Sequence, residues 1–252
     1  MQIRPDYGID APGVVRNLAI PGVVLLIVGV FLPQVALGPV TFTGVRWIGA
    51  SLLVPAVLMV LYSKIGKFRH AARMVRLANL KGSEQVLDVG TGRGLLLIAA
   101  ARKLTTGHAV GIDIWNAEDL SGNHRSNTER NIALESAAIG SSGGNGPVSN
   151  SLQDRCELRN DPAQRMTFPD ASFDVVLSNM CLHNIEPESE RNRACHEIAR
   201  VLKPGGVALL SDFRNTRSYA RELRRQGLAV HRKLYPFETF PPVFVVYARK
   251  LI

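Results

Sequence analysis

The chain has 252 residues, of which 46% are hydrophobic and 20% are charged. This composition excludes an intrinsically disordered chain and allows one α/β domain with a smaller additional segment. The net charge of +9 fits a nucleic acid and an anionic membrane surface equally well, so the location of the positive charges has to decide between them.

Two apolar stretches occupy the N-terminal seventy residues. Residues 18–37 read LAIPGVVLLIVGVFLPQVAL, and residues 47–62 read WIGASLLVPAVLMVLY. The first reaches the ~20 residues that a bilayer span requires, and the second, which is slightly shorter, has an aromatic residue at each end, as is typical of membrane interfaces. We therefore predict two transmembrane helices, at about 18–37 and 47–62, in an N-terminal segment of residues 1–70.

Two other interpretations of these stretches are less well supported. Buried helices of a soluble protein would not be expected to form an almost uncharged pair joined by a short turn. A cleaved signal peptide is disfavoured because residues 1–17 are mixed in charge and a second apolar stretch follows at once. The prolines within the stretches are compatible with membrane helices.

Basic residues predict the orientation of this hairpin. Five of them follow the second stretch, while the connecting loop contains only Arg46 and the N-terminal arm contains Arg4 and Arg16. The five are Lys64, Lys67, Arg69, Arg73 and Arg76. The positive-inside rule then predicts that both termini lie in the cytoplasm, with the basic stretch on the anionic inner leaflet. This accounts for much of the positive charge and argues against a nucleic-acid partner, since no interleaved aromatic and basic pattern occurs.

From about residue 80 onward, short β-type runs alternate with helical patterns. Predicted strands are residues 84–90, 108–115, 155–160, 173–179, 207–213, 228–237 and 241–251; predicted helices are 94–104, 126–139, 188–202 and 218–227. The Gly/Ser/Asn-rich residues 141–151 predict a mobile loop. This alternation predicts an α/β domain over residues 71–252, with a doubly wound, mostly parallel sheet and an antiparallel closing strand pair.

A glycine-rich loop follows the first of these strands, where the sequence reads VLDVGTGRG over residues 86–94. Alternate glycines allow a ligand to lie against bare backbone, with helix N–H groups directed at it; a tight strand-to-helix turn is the alternative. The dinucleotide fingerprint is not matched, because the third glycine comes one residue early. Asp113 ends the second strand, where a carboxylate either binds both ribose hydroxyls of an adenosine or caps a helix.

Three cysteines, Cys156, Cys181 and Cys195, form no C-x-x-C pair and are odd in number. A disulfide framework is therefore not expected, and reduced thiols in the cytoplasm are the plain interpretation. The sequence contains no cluster with the spacing of metal ligands, so no metal site is predicted.

Four motifs in order resemble the class I, seven-stranded S-adenosylmethionine-dependent methyltransferases over roughly residues 80–250. They are LDVGTGRG, GIDIW, NDPAQRMTFPDASFD and LKPGG before a strand. The resemblance implies S-adenosylmethionine as the cofactor and a set of residues that bind it. This set is Asp88, Gly90, Thr91, Gly92, Gly94, Asp113, Ile114, Asp161, Pro162 and Asn179.

Each of these positions has an implied role. The glycine loop would approach the methionine part, with Asp88 fixing the loop or reaching the amino group. Asp113 would hold the ribose, and Ile114 would pack on the adenine. Asp161 would accept from the adenine amino group with Pro162 alongside, and Asn179 would lie near the methionine end.

Methyl transfer from an activated sulfonium requires little acid–base assistance, so the sequence predicts no indispensable base. His183 is a weak candidate for accepting a proton, against the alternative of a packing histidine. Cys181 has no partner cysteine nearby that would support arsenic chemistry, and Asp212 either lines the acceptor pocket or caps the next helix.

The acceptor and the oligomeric state are not predicted by any motif. Location at the inner leaflet suggests a small lipophilic acceptor such as a quinone, a prenyl head group, a lipid amine or a hydrophobic thiol, unless the hairpin is only a tether. Two alternatives remain open: a membrane-anchored nicotinamide oxidoreductase and a non-catalytic scaffold that keeps the fold.

Overall fold

The computed structural model describes residues 4–32, 34–140 and 151–252. Of the predicted mobile loop, only Ser151 falls within these ranges. The chain contains an N-terminal arm (residues 4–11), a hairpin of two helices and an α/β domain.

The hairpin consists of α1 (Pro12–Phe31), β1 (Gln34–Leu37), β2 (Val40–Thr43) and α2 (Val45–Leu61), with the two short strands pairing antiparallel. The bounds predicted for the first helix, 18–37, are wrong at both ends. A proline in the first turn favours the earlier start, because its missing N–H has no helical partner there. The helix ends early because the residue before a proline avoids the helical conformation, and a proline follows Leu32.

The second helix continues beyond the predicted span of 47–62. After α2 comes a π-helical turn (Tyr62–Gly66) and then α3 (Lys67–Ala78), so that residues 45–78 form one helical segment. The predicted domain boundary between residues 70 and 71 falls within α3. One face of α3 is buried against the α/β domain, while α2 packs chiefly on α1.

Glycines form the contact between α1 and α2. A Cβ atom at Gly29 would overlap the backbone of Arg46, one at Gly49 would overlap the backbone of Leu26, and one at Gly22 would come within 2.8 Å of the Leu53 side chain. Large apolar residues instead point outward; these include Val23, Val24, Ile27, Val30, Phe31, Val54, Val57 and Leu61. Both α1 and the segment 45–78 are long and apolar enough to cross a membrane.

The α/β domain is built on a seven-stranded sheet of order β5-β4-β3-β6-β7-β9-β8. Its strands are β3 (Gln85–Val89), β4 (His108–Asp113), β5 (Cys156–Asn160), β6 (Phe173–Asn179), β7 (Leu202–Asp212), β8 (Leu228–Tyr235) and β9 (Val243–Lys250). The first five are parallel, and β9 runs antiparallel between β7 and β8. The predicted fold class is therefore confirmed.

Helices cover both faces of the sheet and bury its apolar side chains. They are α4 (Leu95–Ala101), α5 (Arg125–Gly140), α6 (Glu188–Val201) and α7 (Thr216–Arg225). One hydrophobic layer includes Met74 of α3 and Leu97 of α4, and the other includes Ile198 of α6 and Tyr219 of α7. Because both faces are covered, ligands have access chiefly at the edge where the parallel strands end.

The glycine contact between α1 and α2 gives a first prediction. We expect Gly29→Ala to destabilise the full-length protein by about 1–3 kcal/mol, because the added methyl group has to push two backbones apart. Thermal unfolding in detergent, followed by circular dichroism, measures the effect. Gly13→Ala is the matched control in the same helix, since no described atom lies within 4 Å of a Cβ there. Equal unfolding midpoints for the two variants would contradict the contact.

Candidate active site

The glycine-rich loop passes from the end of β3 over the end of β4. The backbone N–H groups of Gly90 and Thr91 donate to the Ile112 carbonyl at 2.9 and 3.0 Å, and the Gly92 N–H donates to Asp113 Oδ2 at 2.7 Å. Gly90, Gly92 and Gly94 have φ angles of +74°, +53° and +84°. Residues with a side chain rarely adopt positive φ angles, so the backbone conformation itself favours glycine.

A side chain of the protein also presses on this loop. A Cβ atom at Gly90 would overlap the sulfur of Cys181, which follows β6. Gly94 precedes α4 as its N-terminal cap residue, where a Cβ would lie 2.9 Å from Thr128 Cγ2. The φ angles and the contacts at Gly90 and Gly94 therefore favour glycine within the protein itself, and a ligand against this loop stays a prediction.

Asp113 connects this loop to the segment after β4. Its Oδ1 accepts from the Trp115 N–H at 2.6 Å, while Oδ2 accepts from Gly92. The alternative that Asp113 caps a helix is wrong, because the next helix begins at Arg125. Burial raises the pKa of the Asp113 carboxyl, and the backbone N–H groups that it accepts from oppose that rise.

Asp88 lies beneath the loop and is 1% exposed. The Thr91 hydroxyl donates to its Oδ2 at 2.8 Å. Burial raises the pKa of this carboxyl to about 7, and the Thr91 hydrogen bond partly offsets the rise. Of the two roles considered for Asp88, the contact with Thr91 corresponds to fixing the loop.

A cavity of about 310 Å³ opens beside the loop, at the carboxyl ends of the parallel strands. Eight of the ten residues predicted to bind the cofactor line it: Asp88, Gly90, Thr91, Gly92, Asp113, Ile114, Asp161 and Asn179. Gly94 and Pro162 are not among the lining residues. The sequence therefore identified one connected cavity from segments up to ninety residues apart.

Several side chains in the cavity wall have atoms that can still accept hydrogen bonds from a ligand or pack against it. Asp161 is buried, and its Oδ2 accepts from both the N–H and the hydroxyl of Thr167 at 2.9 Å. Asn179 and Asn123 each present a buried side-chain oxygen for which the described residues provide no hydrogen-bond partner. Ile114 is 64% exposed. The Asn123 and Asn179 oxygens are therefore available to accept hydrogen bonds from a polar ligand in the cavity.

The lining of the cavity is strongly acidic. Among the described residues it includes six carboxylates and two basic side chains. The carboxylates belong to Asp10, Asp88, Asp113, Asp119, Asp161 and Glu186. Arg93 pairs with Asp6 at 3.1 Å, while Lys67 pairs with Asp10, and Glu186 with Arg191, at 3.2 Å each. The lining carboxyl groups without an ion-pair partner among the described residues are Asp88, Asp113, Asp119 and Asp161. The cavity therefore suits a cationic ligand better than a polyanion.

The N-terminal arm forms part of the cavity wall, and sequence reasoning missed it. Tyr7 and Asp10 of the arm line the cavity together with Lys67 of α3. The Lys67 ammonium donates to the carbonyls of Tyr7 and Gly8 at 2.6 and 2.7 Å and to Asp10 Oδ2 at 3.2 Å. Burial lowers the pKa of Lys67, and Asp10 opposes this shift.

The placement of Lys67 on the membrane surface is therefore wrong, since this residue is 4% exposed. Arg73, predicted in the same basic stretch, forms an ion pair with Glu238 through two hydrogen bonds. Further contacts dock the arm: Ile9 exchanges hydrogen bonds with Ser121, and the Ala11 N–H donates to the Asp119 carbonyl. No periodicity or motif in the arm signals these contacts, because the partners are distant in sequence.

The candidate catalytic residue His183 lies outside the cavity lining. Its Nδ1 is 2.9 Å from Asp212 Oδ1, and its ring packs edge-on against Phe213 with centroids 4.6 Å apart. Asp212 also accepts from the Tyr219 hydroxyl at 3.1 Å and is not a lining residue. The catalytic role of His183 stays a prediction.

Cys181 does line the cavity, with its sulfur against Gly90. Burial raises the pKa of this thiol well above its ordinary value, so the thiolate that binds metals is disfavoured. Within residues 4–32, 34–140 and 151–252, no three His, Cys, Asp or Glu side chains are grouped as a metal site would require.

Comparison with known proteins agrees with this geometry. Residues 87–210 match the family described as a methyltransferase domain. The chain contains a class I methyltransferase domain. The resemblance drawn from the four motifs is confirmed, and with it S-adenosylmethionine as the cofactor of the family.

Two curated relatives illustrate the similarity. The methyltransferase domain is similar to a probable methyltransferase, ltbC, of Aspergillus luteorubrus, with 28% identity over 147 residues, covering 58% of this chain and 46% of that protein. It is also similar to the ubiquinone/menaquinone biosynthesis C-methyltransferase of Hydrogenovibrio crunogenus, with 30% identity over 146 residues, covering 58% and 47%. The chain thus spans about half the length of the curated relatives it matches.

A solved structure shares the fold. It is a SAM-dependent methyltransferase from Aquifex aeolicus, which superimposes with a TM-score of 0.51 at 17% identity, over 72% of this chain and 89% of that chain. At this identity the likeness extends to the fold alone.

A second prediction concerns Asp113. We expect Asp113→Ala to weaken binding of S-adenosylhomocysteine by about 1–3 kcal/mol, because the Gly92 and Trp115 N–H groups lose their acceptor and the loop loosens. Isothermal titration calorimetry on the detergent-solubilised protein measures this. Glu118→Ala, at an exposed acid in the same segment, is the control. Unchanged affinity of the Asp113 variant would refute its assignment to the cofactor site.

A third prediction concerns the arm. Lys67→Met would leave the Tyr7 and Gly8 carbonyls without their donor, so we expect a loss of about 1–3 kcal/mol in unfolding free energy. Weaker binding of S-adenosylhomocysteine should accompany it, because the arm lines the cavity. The matched control is Lys64→Met, one turn earlier and exposed. If both variants behave like the parent in calorimetry and thermal unfolding, Lys67 does not anchor the arm.

Proposed function

We propose that this protein transfers a methyl group from S-adenosylmethionine to a small lipophilic acceptor at a membrane to which its hairpin anchors it. The acidic lining of the cavity is the observation that carries the first part of this proposal. S-adenosylmethionine has a sulfonium and an ammonium against a single carboxylate, which suits a wall with four unpaired carboxyl groups and two basic side chains that are already ion-paired. A nicotinamide dinucleotide would bring two phosphates to the same wall, so the oxidoreductase alternative is disfavoured.

In this proposal, different lining residues bind different parts of the cofactor. Asp113 accepts from the ribose hydroxyls, the exposed Ile114 side chain packs on the adenine, and Asp161 accepts from the adenine amino group. The unpartnered Asn179 oxygen accepts from the methionine ammonium. Asp88 acts through Thr91 by holding the loop in position.

When bound, S-adenosylmethionine supplies an already activated methyl group. The protein then has to bind and orient the acceptor and keep water away, and it can do so without a general base. The arm contributes to excluding water, since Tyr7 and Asp10 close one side of the cavity. His183 is not a lining residue, so in this arrangement it cannot take a proton directly from an acceptor hydroxyl. Such a proton would leave by another route.

Membrane attachment is supported by the construction of the hairpin. Its helices touch through glycines and direct large apolar side chains outward, which is the arrangement of membrane helix pairs. The arm docks on the methyltransferase domain, so both ends of the hairpin lie on one side. Lys64 and Arg69 remain exposed beyond α2, which favours the cytoplasm for that side.

A lipophilic acceptor is supported by two observations. The segment that leaves the hairpin reaches the cavity edge directly, since Ser63 hydrogen-bonds to the lining residue Asp10. In addition, one curated relative is named for ubiquinone and menaquinone biosynthesis. A quinone-type head group is therefore the acceptor class to test first.

Calorimetric titration with S-adenosylhomocysteine, with NADH as the control, tests the cofactor. We expect binding of the former alone. NADH binding alone would overturn the proposal, and binding of neither would favour the scaffold alternative. Incubation with membrane lipid extract and S-adenosylmethionine labelled in the methyl group tests the acceptor, and we expect label in the organic phase.

A separate measurement tests the anchor. We expect the full-length protein to stay with membranes after an alkaline carbonate wash and to be released by detergent. Release by carbonate would contradict a spanning hairpin and leave the cofactor assignment intact.

A further inference from the structure

The orientation of the cavity relative to the hairpin follows from α3. The π-helical turn before α3 places Tyr62 beside Asn179, the last residue of β6. Within α3, His70 Nε2 lies 2.7 Å from the hydroxyl of Ser211, near the end of β7. Beyond α3 the chain reaches Gly82, which bonds to Thr105 just before β4 begins. The helix therefore runs opposite to the parallel strands, and the cavity edge of the sheet faces the hairpin.

A second loop lies at this same edge. Residues 236–242 connect β8 to β9, and Phe244 at the start of β9 pairs with Asp212 at the end of β7. The loop is fixed to the helix that leaves the hairpin: the Glu238 carbonyl packs against Gly66 with no room for a Cβ, and the Glu238 carboxylate pairs with Arg73. The Thr239 hydroxyl accepts from the Val243 N–H at 3.1 Å, which closes the loop.

Phe237 is a large apolar residue of this loop that is left exposed. Its side chain is 96% exposed, although its neighbours Glu238 and Thr239 are held by the contacts above. Leu234 on β8 and Ile65 beside Gly66 are also exposed large apolar residues. An exposed aromatic side chain on a rigid loop, near other exposed apolar groups, is typical of an interaction site.

The depth of this loop matches the lipid head groups. Gly66 follows Leu61, the last residue of α2, by five residues, which is at most about 7–8 Å along the helix axis, because a π-helical turn rises less per residue than an α-helix. The head-group layer on each side of a bilayer core is about 5–8 Å thick. Aromatic side chains prefer this layer, and the exposed Lys64 and Lys233 nearby suit anionic lipids.

We propose that the loop 236–242 inserts Phe237 into the interface of an anionic bilayer, as a second contact beside the hairpin. This inference rests on the membrane attachment proposed above. With two contacts, the domain is held with its cavity edge toward the membrane, so that an acceptor with a lipid tail reaches the site from the bilayer.

The test uses Phe237→Trp in the full-length protein, reconstituted in vesicles of phosphatidylcholine and phosphatidylglycerol. Acyl chains brominated near the head group quench tryptophan at the interface. We compare the tryptophan fluorescence of the Phe237→Trp variant with that of the parent. The additional emission should be blue-shifted in ordinary vesicles and mostly quenched in brominated vesicles. Ile252→Trp is the control, because Ile252 is fully exposed and lies by Gly205 at the opposite edge of the sheet; its added emission should persist.

The parent protein separates the two proposals, because Trp47 lies in the hairpin. If the parent is quenched but the emission added by the Phe237→Trp substitution is not, the loop contact is overturned and the membrane anchor is unaffected. An unquenched parent would overturn the anchor itself and the loop contact with it. Phe237→Glu gives an independent check: we expect unchanged binding of S-adenosylhomocysteine together with a several-fold lower rate on a membrane-extract acceptor. An unchanged rate would also contradict the loop contact.

Discussion

One continuous helical segment, residues 45–78, belongs to both halves of the molecule. Its first part packs on α1 through glycines, and its last part contributes Met74 to the core beneath the sheet. A flexible linker would allow the methyltransferase domain to rotate freely relative to the hairpin. Here the helix carries the domain as a rigid extension, and the arm contacts, the cavity wall and the loop 236–242 all depend on its position.

The net charge of the chain is positive, whereas the lining of its cavity is acidic. The chain as a whole has a net charge of +9, yet the described residues that line the cavity include six acidic and two basic side chains. The overall charge suits an anionic membrane surface, and the local charge suits a cationic cofactor. Because the interior of a cavity is screened less than the surface, the local charges decide what binds there.

Much of the fold and of the cavity could be predicted because the responsible signals are local. Strand and helix periodicity gave the α/β domain, and the glycine loop with Asp113 marked the cavity edge. The arm could not be found in this way, since its bond from Ile9 to Ser121 spans 112 residues. Lys67 looked like a membrane-facing charge because its sequence neighbours are basic, whereas its carbonyl partners come from a folded-back segment with no pattern of its own. The end of α1 was missed because an uninterrupted apolar run obscured the effect of the proline after Leu32.

The position of the arm has a consequence for how the protein is made. The arm and the hairpin leave the ribosome before the part of the domain on which the arm docks, since Asn131, which holds the backbone of Asp6, comes 125 residues later. Domains generally fold as units during synthesis. The hairpin is therefore complete long before the cavity can close, and the arm cannot dock until α5 has been synthesised. Completion of the cavity is thus a late step, in which the arm docks onto a domain that follows it in the chain.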